Sequence, residues 1–329
     1  MLDILTRIKQ LVAEKEEFAM ATVVKTWRSS PRQAGSCLVV TKSGQMIGSV
    51  SGGCVENAVV TKALKVIETG KSELVKFGIA NEDAWEVGLS CGGEVWVHIT
   101  PFYSADLWNR LTNALASNKG IAVVTDLSNG DRFLLDEISA DNSLYAKVIE
   151  AYDMRSNALL SLAETEYFVH SFPPKNKMIL IGSAHITAEL IGLANLYDFE
   201  TIVIDPRDTF AHKTDFKTPP DTLHVNWPQE VLNSYALDQE TYAVILSHDP
   251  KIDDEALKIL LPSNVRYIGA LGSRKTQAKR IDRLKSYGFT DEEISRVKGP
   301  IGLNIGAMSA KEIALSVIAE VVKVKNGVN

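Results

Sequence analysis

Residues 2–17 set Leu2, Leu5, Ile8, Leu11 and Val12 three to four apart with Lys and Glu between them, which predicts an amphipathic helix. The period then changes. Ala19 to Thr26 is rich in β-branched residues and reads as a strand. Cys37 to Thr41 and Met46 to Val50 read as two more, joined through the turn Lys42-Ser43-Gly44-Gln45. Gly52-Gly53 breaks that pattern. From Cys54 to Glu68 the apolar residues Val55, Val59, Ala63, Val66 and Ile67 return to helical spacing, so Cys54 is expected at or near a helix N-terminus. Leu74 to Phe77 and Glu94 to Ile99 read as strands, and Cys91 falls in the loop that feeds the second of them. Residues 106–172 mix helix-like and strand-like pieces, with Ile121 to Thr125 the clearest strand, and are assigned to the first domain.

The texture changes after Phe172-Pro173-Pro174-Lys175-Asn176-Lys177, the expected linker. Short continuous apolar runs follow at Met178 to Ile181, Thr201 to Ile204, Ala243 to Leu246 and Val265 to Ile268, separated by helical stretches. Apolar strands with helical crossovers predict a parallel sheet covered on both faces. A last helix opens on the capping-box pair Ser309 and Glu312 and runs to about Lys325. The expected fold class is α/β: an N-terminal mixed α/β domain over residues 1–170, then a Rossmann-like doubly wound parallel-sheet domain over residues 176–329.

Composition narrows the function classes. The chain has 329 residues, 45% hydrophobic and 23% charged, enough apolar surface for two cores. Lys plus Arg is 35 against 41 Asp plus Glu, a formal charge of −6, which argues against a dedicated nucleic-acid binder. No run approaches the ~18 apolar residues of a membrane span. The first residues lack the basic head, apolar middle and small-residue cleavage site of a secretory leader. The three cysteines, Cys37, Cys54 and Cys91, are an odd count and form neither a disulfide framework nor a four-thiolate zinc site. A reducing cytoplasm is the expected compartment, and a homodimer the expected oligomer.

Candidate chemistry lies at two places. In an open parallel sheet, ligands sit beyond the carboxyl ends of the strands. Gly182 and Asp205 occupy such ends, 23 residues apart, a spacing like that between the first glycine of a dinucleotide fingerprint and its ribose-binding acid. The fingerprint is broken, because Ala184 and Thr187 stand where its second and third glycines belong. That argues against NAD(P), although a nicotinamide-dependent oxidoreductase stays as the alternative reading. Gly272-Ser273-Arg274-Lys275 opens a helix and offers amides, a hydroxyl and two cations to an anion; a solvated Arg-Lys pair is the plainer reading. His185 and His248 fall at strand-end turns and are either surface residues or ligand contacts. Asp249, Asp253 and Asp254 either complete an oxygen-rich site or cap a helix.

The second place is the cysteine pair. Gly52-Gly53 precedes Cys54, and Gly92-Gly93 follows Cys91. A thiol at a helix N-terminus ionises more readily, and flanking glycines strip away steric cover. Glu56 and Glu94 stand close in sequence and would oppose ionisation. Such thiols suit soft chemistry: holding a transition metal, carrying sulfur or attacking an electrophile. The plainer reading is a small buried residue beside a tight turn, and Cys37, mid-strand, fits that description.

These residues carry a resemblance. Ser29-Ser30-Pro31-Arg32, then Gly48-Ser49-Val50-Ser51-Gly52-Gly53-Cys54-Val55-Glu56, resembles the amino-terminal domain of the XdhC/CoxI family of xanthine dehydrogenase accessory factors, and Cys91-Gly92-Gly93 resembles that domain's second element. The carboxyl-terminal half is similar to the family's Rossmann-like domain at Ile204-Asp205-Pro206-Arg207, Ser247-His248-Asp249, Tyr267 to Lys275, and Gly299 to Ala307 followed by Glu312-Ile313-Ala314. It departs at Ser183-Ala184, where the family's turn carries glycine. The resemblance implies a non-catalytic chaperone that binds the molybdenum cofactor, in its molybdopterin or a dinucleotide form. The protein would protect that cofactor during sulfuration and deliver it to a xanthine dehydrogenase-type molybdoenzyme, with a cysteine desulfurase as a further partner. It also implies that Cys54 contacts the metal or its sulfur, with Cys91 as second candidate and Gly52 and Gly53 beside them. Gly182, His185, Asp205, His248 and Arg274 would line the Rossmann cleft.

Overall fold

The computed structural model describes residues 4–27, 32–53, 55–78, 93–102, 105–208 and 216–328. The chain divides into two compact units, Met1–Pro174 and Lys175–Asn329.

In the first unit, helix α1 (Leu5–Glu14) leads into strand β1 (Phe18–Trp27), then β2 (Cys37–Thr41), β3 (Met46–Gly48), α2 (Glu56–Thr69), β4 (Glu73–Phe77) and β5 (Glu94–Pro101). These strands form one antiparallel sheet in the order β3-β2-β1-β5-β4. Helix α3 (Ala105–Ala116) leads to β6 (Ile121–Asp126), β7 (Arg132–Leu134), α4 (Ser143–Asp153), β8 (Ala158–Leu162) and β9 (Thr165–Phe172). The mixed stretch after residue 105 is therefore a second antiparallel sheet, β7-β6-β9-β8.

Alternation along the strands decides what each face meets. Ala19, Ala21 and Val23 of β1 join Val95, Val97 and Ile99 of β5 against Val59, Ala63 and Val66 of α2. Met20 of β1 packs with Ile8 and Leu11 of α1, Trp108 and Leu111 of α3, and Val123 of β6. The far face of β6, with Ala122 and Val124, meets Leu144 and Val148 of α4. Cys37 is a small core residue, 3% exposed, whose thiol donates to the Gly35 carbonyl at 3.4 Å.

Two imidazoles enter this core from its strands. Burial, with the Arg132 charge adding to it, holds His98 down to about 4, while burial above all takes His170 down to about 3. Both are therefore neutral at pH 7, and both must gain a proton when the chain unfolds in acid. Between pH 6.5 and those values the unfolded chain binds more protons, so stability rises with pH there and is lost as pH falls. Each tenfold change in a protonation constant is worth about 1.4 kcal/mol, so the expected loss from pH 7 to pH 4 is several kcal/mol. Urea midpoints taken across that range check it. His98→Phe should flatten the slope, and an unchanged slope would remove His98 from the account.

The second unit runs β10 (Asn176–Ile181), α5 (His185–Leu196), β11 (Phe199–Ile204), β12 (Thr222–His224), α6 (Pro228–Val231), β13 (Thr241–Ile245), α7 (Pro250–Leu260), β14 (Tyr267–Ala270), α8 (Arg274–Ser286), α9 (Asp291–Ser295), β15 (Val297–Lys298) and α10 (Ala310–Lys325). Strand order is β12-β11-β10-β13-β14-β15, all parallel. This is the 3-2-1-4-5-6 order of a doubly wound dinucleotide-type sheet. One face carries Ile179, Ile202 and Ile245 onto α7 and α8; the other carries Met178, Leu180 and Val244 onto α5 and α10. Two strands sit slightly off the expected positions: β13 begins at Thr241 and β14 at Tyr267, two residues from each reading, because pairing of β13 to β10 and of β14 to β13 sets the register.

Candidate functional site

Cys54 and Cys91, with Gly92, lie outside the described residues, as do Ser29, Ser30 and Pro31. What is described is the loop leading to Cys54. Glu56, the first residue of α2, gathers that loop. Its carboxylate accepts from the amides of Val50 at 3.3 Å, Ser51 at 2.9 Å, Gly52 at 3.0 Å and Gly53 at 2.8 Å. It also accepts from the Ser49 hydroxyl at 2.8 Å and from that of Ser51. Partial burial pushes the carboxyl up, but the hydroxyls and amides of Ser51, Ser49 and Gly53 outweigh it and hold it at about 2. Sequence proximity suggested a carboxylate opposing thiol ionisation. Here the charge is turned onto a cluster of donors that organises residues 49–53. Val55, the N-cap of α2, is buried, whereas Gly52 and Gly53 are exposed. A Cβ placed on Gly53 would meet none of the described residues within 4 Å. Glu94 accepts a hydrogen bond from the Trp96 indole.

In the second unit the loops after β10, β11 and β13 converge at the switch point of the sheet. Gly182 has φ +105, and its amide donates to the Ile204 carbonyl at 2.9 Å. The neighbouring Ser183 amide donates to the Asp205 carboxylate at 2.7 Å. The Asp205 side chain is 0% exposed and also accepts from the Arg207 amide at 3.0 Å and its guanidinium at 2.8–2.9 Å. Arg207 reaches on to the Ser247 carbonyl at 3.3 Å. Asp205 thus locks three loops together, and its acceptor positions face inward, unlike those of an acid presented to a ribose. Thr187, where the fingerprint has glycine, donates to the Gly182 carbonyl at 2.6 Å and draws α5 onto the strand end. The first turn of α5 has no side-chain cap from its N-cap residue Ala184, and amides at such a helix start suit an anion.

Around this knot stand exposed His185, at the first position of α5, and exposed His248, whose φ of +61 is left-handed. Left-handed backbone at a non-glycine residue is held by its surroundings and marks a turn under constraint. Arg274 and Lys275 are exposed at the start of α8, but Ser273 already caps that helix by accepting from the Thr276 amide at 3.1 Å. The plainer reading of that turn gains weight, and α5 is the better anion end. Asp249 caps α7, accepting from the Lys251 amide at 2.9 Å. Asp253 pairs with buried Arg280 at 3.3 Å, and Asp254 takes Arg283 in a two-pronged pair at 2.6 and 2.9 Å. The oxygen-rich reading of these acids gives way to capping and ion pairing. Among the described residues no cluster of three or more His, Cys, Asp or Glu is placed to hold a metal. No helix among them is long and apolar enough to cross a membrane.

Sequence reasoning missed Glu56 and Thr187 as organisers. A signal existed for Glu56: an acid in the first helical turn after a run of small residues, where free amides collect. Nothing local marked Thr187 or the Arg207–Ser247 bond.

A doubly wound sheet of this order, opened by a Gly182 turn locked to Asp205, is the geometry of an XdhC-type Rossmann domain, and the model of that domain matches residues 178–321. The model of the XdhC and CoxI family matches residues 11–78, and the chain belongs to this family. Several relatives span nearly its whole length. A Bacillus subtilis (strain 168) protein, named as a probable subunit of xanthine dehydrogenase, is 28% identical over 331 residues, covering 98% of either chain. The Escherichia coli (strain K12) molybdenum cofactor insertion chaperone PaoD is 24% identical over 316 residues, covering 93% of this chain and 83% of its own. A crystal structure from Bacillus halodurans, described as a xanthine dehydrogenase, shares the fold with a TM-score of 0.74 and 24% identity over 98% of this chain and 96% of its own.

Proposed function

We propose that this protein binds the molybdenum cofactor as cargo, protects it during sulfuration and hands it to a xanthine dehydrogenase-type molybdoenzyme. One observation carries the reading: the Glu56-organised loop leaves Gly52 and Gly53 exposed, with no atom of the described residues within 4 Å of a Cβ on Gly53, immediately before Cys54. No side chain of the described residues stands over Gly53 to keep a bulky guest away. The cargo has a soft metal centre suited to a thiolate, and it carries a phosphate, a group that helix N-termini in general bind. The name of PaoD supports cofactor insertion as the task. In this reading Cys54 is the thiol contact and Cys91 the second. Gly182, His185, Asp205, His248 and Arg274 belong to the strand-end site, with Asp205 acting from beneath. A cysteine desulfurase supplies sulfur, the working form is a homodimer, and the compartment is the cytoplasm.

Cofactor retained through gel filtration, read as molybdenum and pterin per chain, tests the thiol role. Cys54→Ser should lower retention at least about tenfold, and Cys91→Ser less. If both single variants and the double variant retain cofactor like the parent, the thiols have no part in binding. The competing reading, a nicotinamide-dependent oxidoreductase, draws on the strand order of the second unit. A melting temperature unmoved by millimolar NAD or NADP removes it.

A further inference from the structure

The amino-terminal unit holds a cavity of about 200 Å³ between its two sheets, closed along one side by α3. Its walls are mainly apolar: Met20 of β1, Phe102, Phe168 of β9, and Trp108 and Leu111 of α3. Polar side chains stand among them as well, Thr22, Thr125 and Asp131 with His98, His170 and Arg132. His98 is 2% exposed, and its Nε2 has no hydrogen-bond partner among the described residues. His170 is buried, with its ring centroid 5.8 Å from that of Phe168 and 4.3 Å from that of Phe172. Arg132 donates to the Thr100 hydroxyl and sets its second terminal nitrogen 4.0 Å from the Met20 sulfur, a weak acceptor. None of these residues is used by the thiol loop or the strand-end turns.

A buried imidazole nitrogen without a partner is costly, and native proteins leave few such groups without a reason. Water alone would answer a polar cavity, but this one is lined chiefly by aromatic and aliphatic side chains, which favour a flat apolar body. The Thr100 hydroxyl that Arg132 meets lies two residues from His98 on β5, on the same face of the strand, so a guanidinium with five N–H donors stands near a neutral imidazole able to donate. Asp131, the acid among the lining residues, is exposed and accepts from the Asn129 side-chain amide at 2.8 Å, so it stands at the rim. A cavity of about 150 Å³ accommodates benzene, so the volume here suits one ring bearing one small substituent.

We propose that this cavity binds a small monocyclic carboxylate, its ring against Phe102, Trp108 and Phe168 and its carboxylate between Arg132 and the Nε2 of His98. The carboxylate accepts from the Arg132 nitrogen that faces the Met20 sulfur and from the Nε2 of His98, which has no partner among the described residues. Burial and the nearby guanidinium keep both imidazoles neutral at pH 7, so Arg132 supplies the positive charge and His98 a neutral donor.

The test uses the full chain with benzoate as probe and benzamide as its uncharged isostere. Benzoate should raise the melting temperature in a saturable way, with a dissociation constant on the order of 1 mM or tighter. Benzamide should bind at least about tenfold more weakly. Arg132→Met should weaken benzoate about tenfold or more, and Leu111→Trp, which fills the cavity, should abolish binding. No benzoate binding, equal binding of benzamide, or benzoate binding unaffected by both variants overturns the proposal. Should the variants fail to fold, the ring resonances of His98 in the parent chain decide. Movement with benzoate and not with benzamide supports the site, and resonances unmoved by benzoate overturn it.

Discussion

The Gly182→Ala variant is expected to lose roughly 3 kcal/mol or more of stability in the carboxyl-terminal unit. A Cβ at this position would lie 2.6 Å from both the Cα and the amide nitrogen of Ser247, and 2.9 Å from the carbonyl carbon of Leu246. These are backbone atoms, and they cannot swing aside as a side chain does. They are held in place because the Leu246 amide donates to the Ile181 carbonyl at 2.7 Å, fastening the loop after β13 to the end of β10. The φ of +105 adds a strain that any L side chain would feel. Gly53 makes the control: its φ is +124, yet none of the described residues lies within 4 Å of its Cβ position. Gly53→Ala should therefore cost only the conformational part, about 1 kcal/mol. Urea unfolding followed by far-UV dichroism compares the two. Equal midpoints for both variants would mean that the contact between β10 and the loop after β13 is looser than the distances imply.

The second large effect belongs to Glu56. Glu56→Gln is expected to lower stability by about 2 kcal/mol and to reduce cofactor retention as strongly as Cys54→Ser. A glutamine side chain keeps one acceptor oxygen but turns an NH2 group toward a ring of donors. Glu56 has four amides and two hydroxyls pointing at it, so that exchange sets donor against donor. Glu56 is partly exposed, and water relieves some of the loss, which keeps the figure well below that for a fully buried carboxylate. The acid behaviour has a definite sign. The folded-state value of about 2 lies below the ordinary 4.5, so the loop's stabilisation is full above pH 4.5 and disappears as pH falls through 2. Gln at position 56 should remove that dependence. If Glu56→Gln melts like the parent and retains cofactor like the parent, the loop does not need its carboxylate and the positioning role fails.

How far the site was legible can be followed residue by residue. Gly182 announced itself, because a glycine ending an apolar run before a helix needs a turn that other residues resist. His248 did not, since nothing in Ser247-His248-Asp249 requires a left-handed φ at its centre. Asp205 was legible as an acid at a strand end but not as a group facing inward. Only the convergence of three loops puts the Ser183 amide and Arg207 on its oxygens. Asp253 and Asp254 misled, because acids near a helix start look alike whether they bind a ligand or an arginine 27 or 29 residues further along the chain.

By itself the sequence determined the two-part division of texture, the parallel sheet of the second unit, and the glycine-flanked cysteines. Each is a local property: period two or 3.6 along one segment, or a residue that alone permits a backbone angle. Tertiary structure alone decided that residues 105–172 close a second sheet over the first, that Glu56 folds back on Ser49 to Gly53, and that His98 ends at an apolar cavity without a partner among the described residues. Those outcomes depend on which donor meets which acceptor across distant segments. The same side chains in the same order are compatible with many such pairings, and the packing of whole layers selects among them.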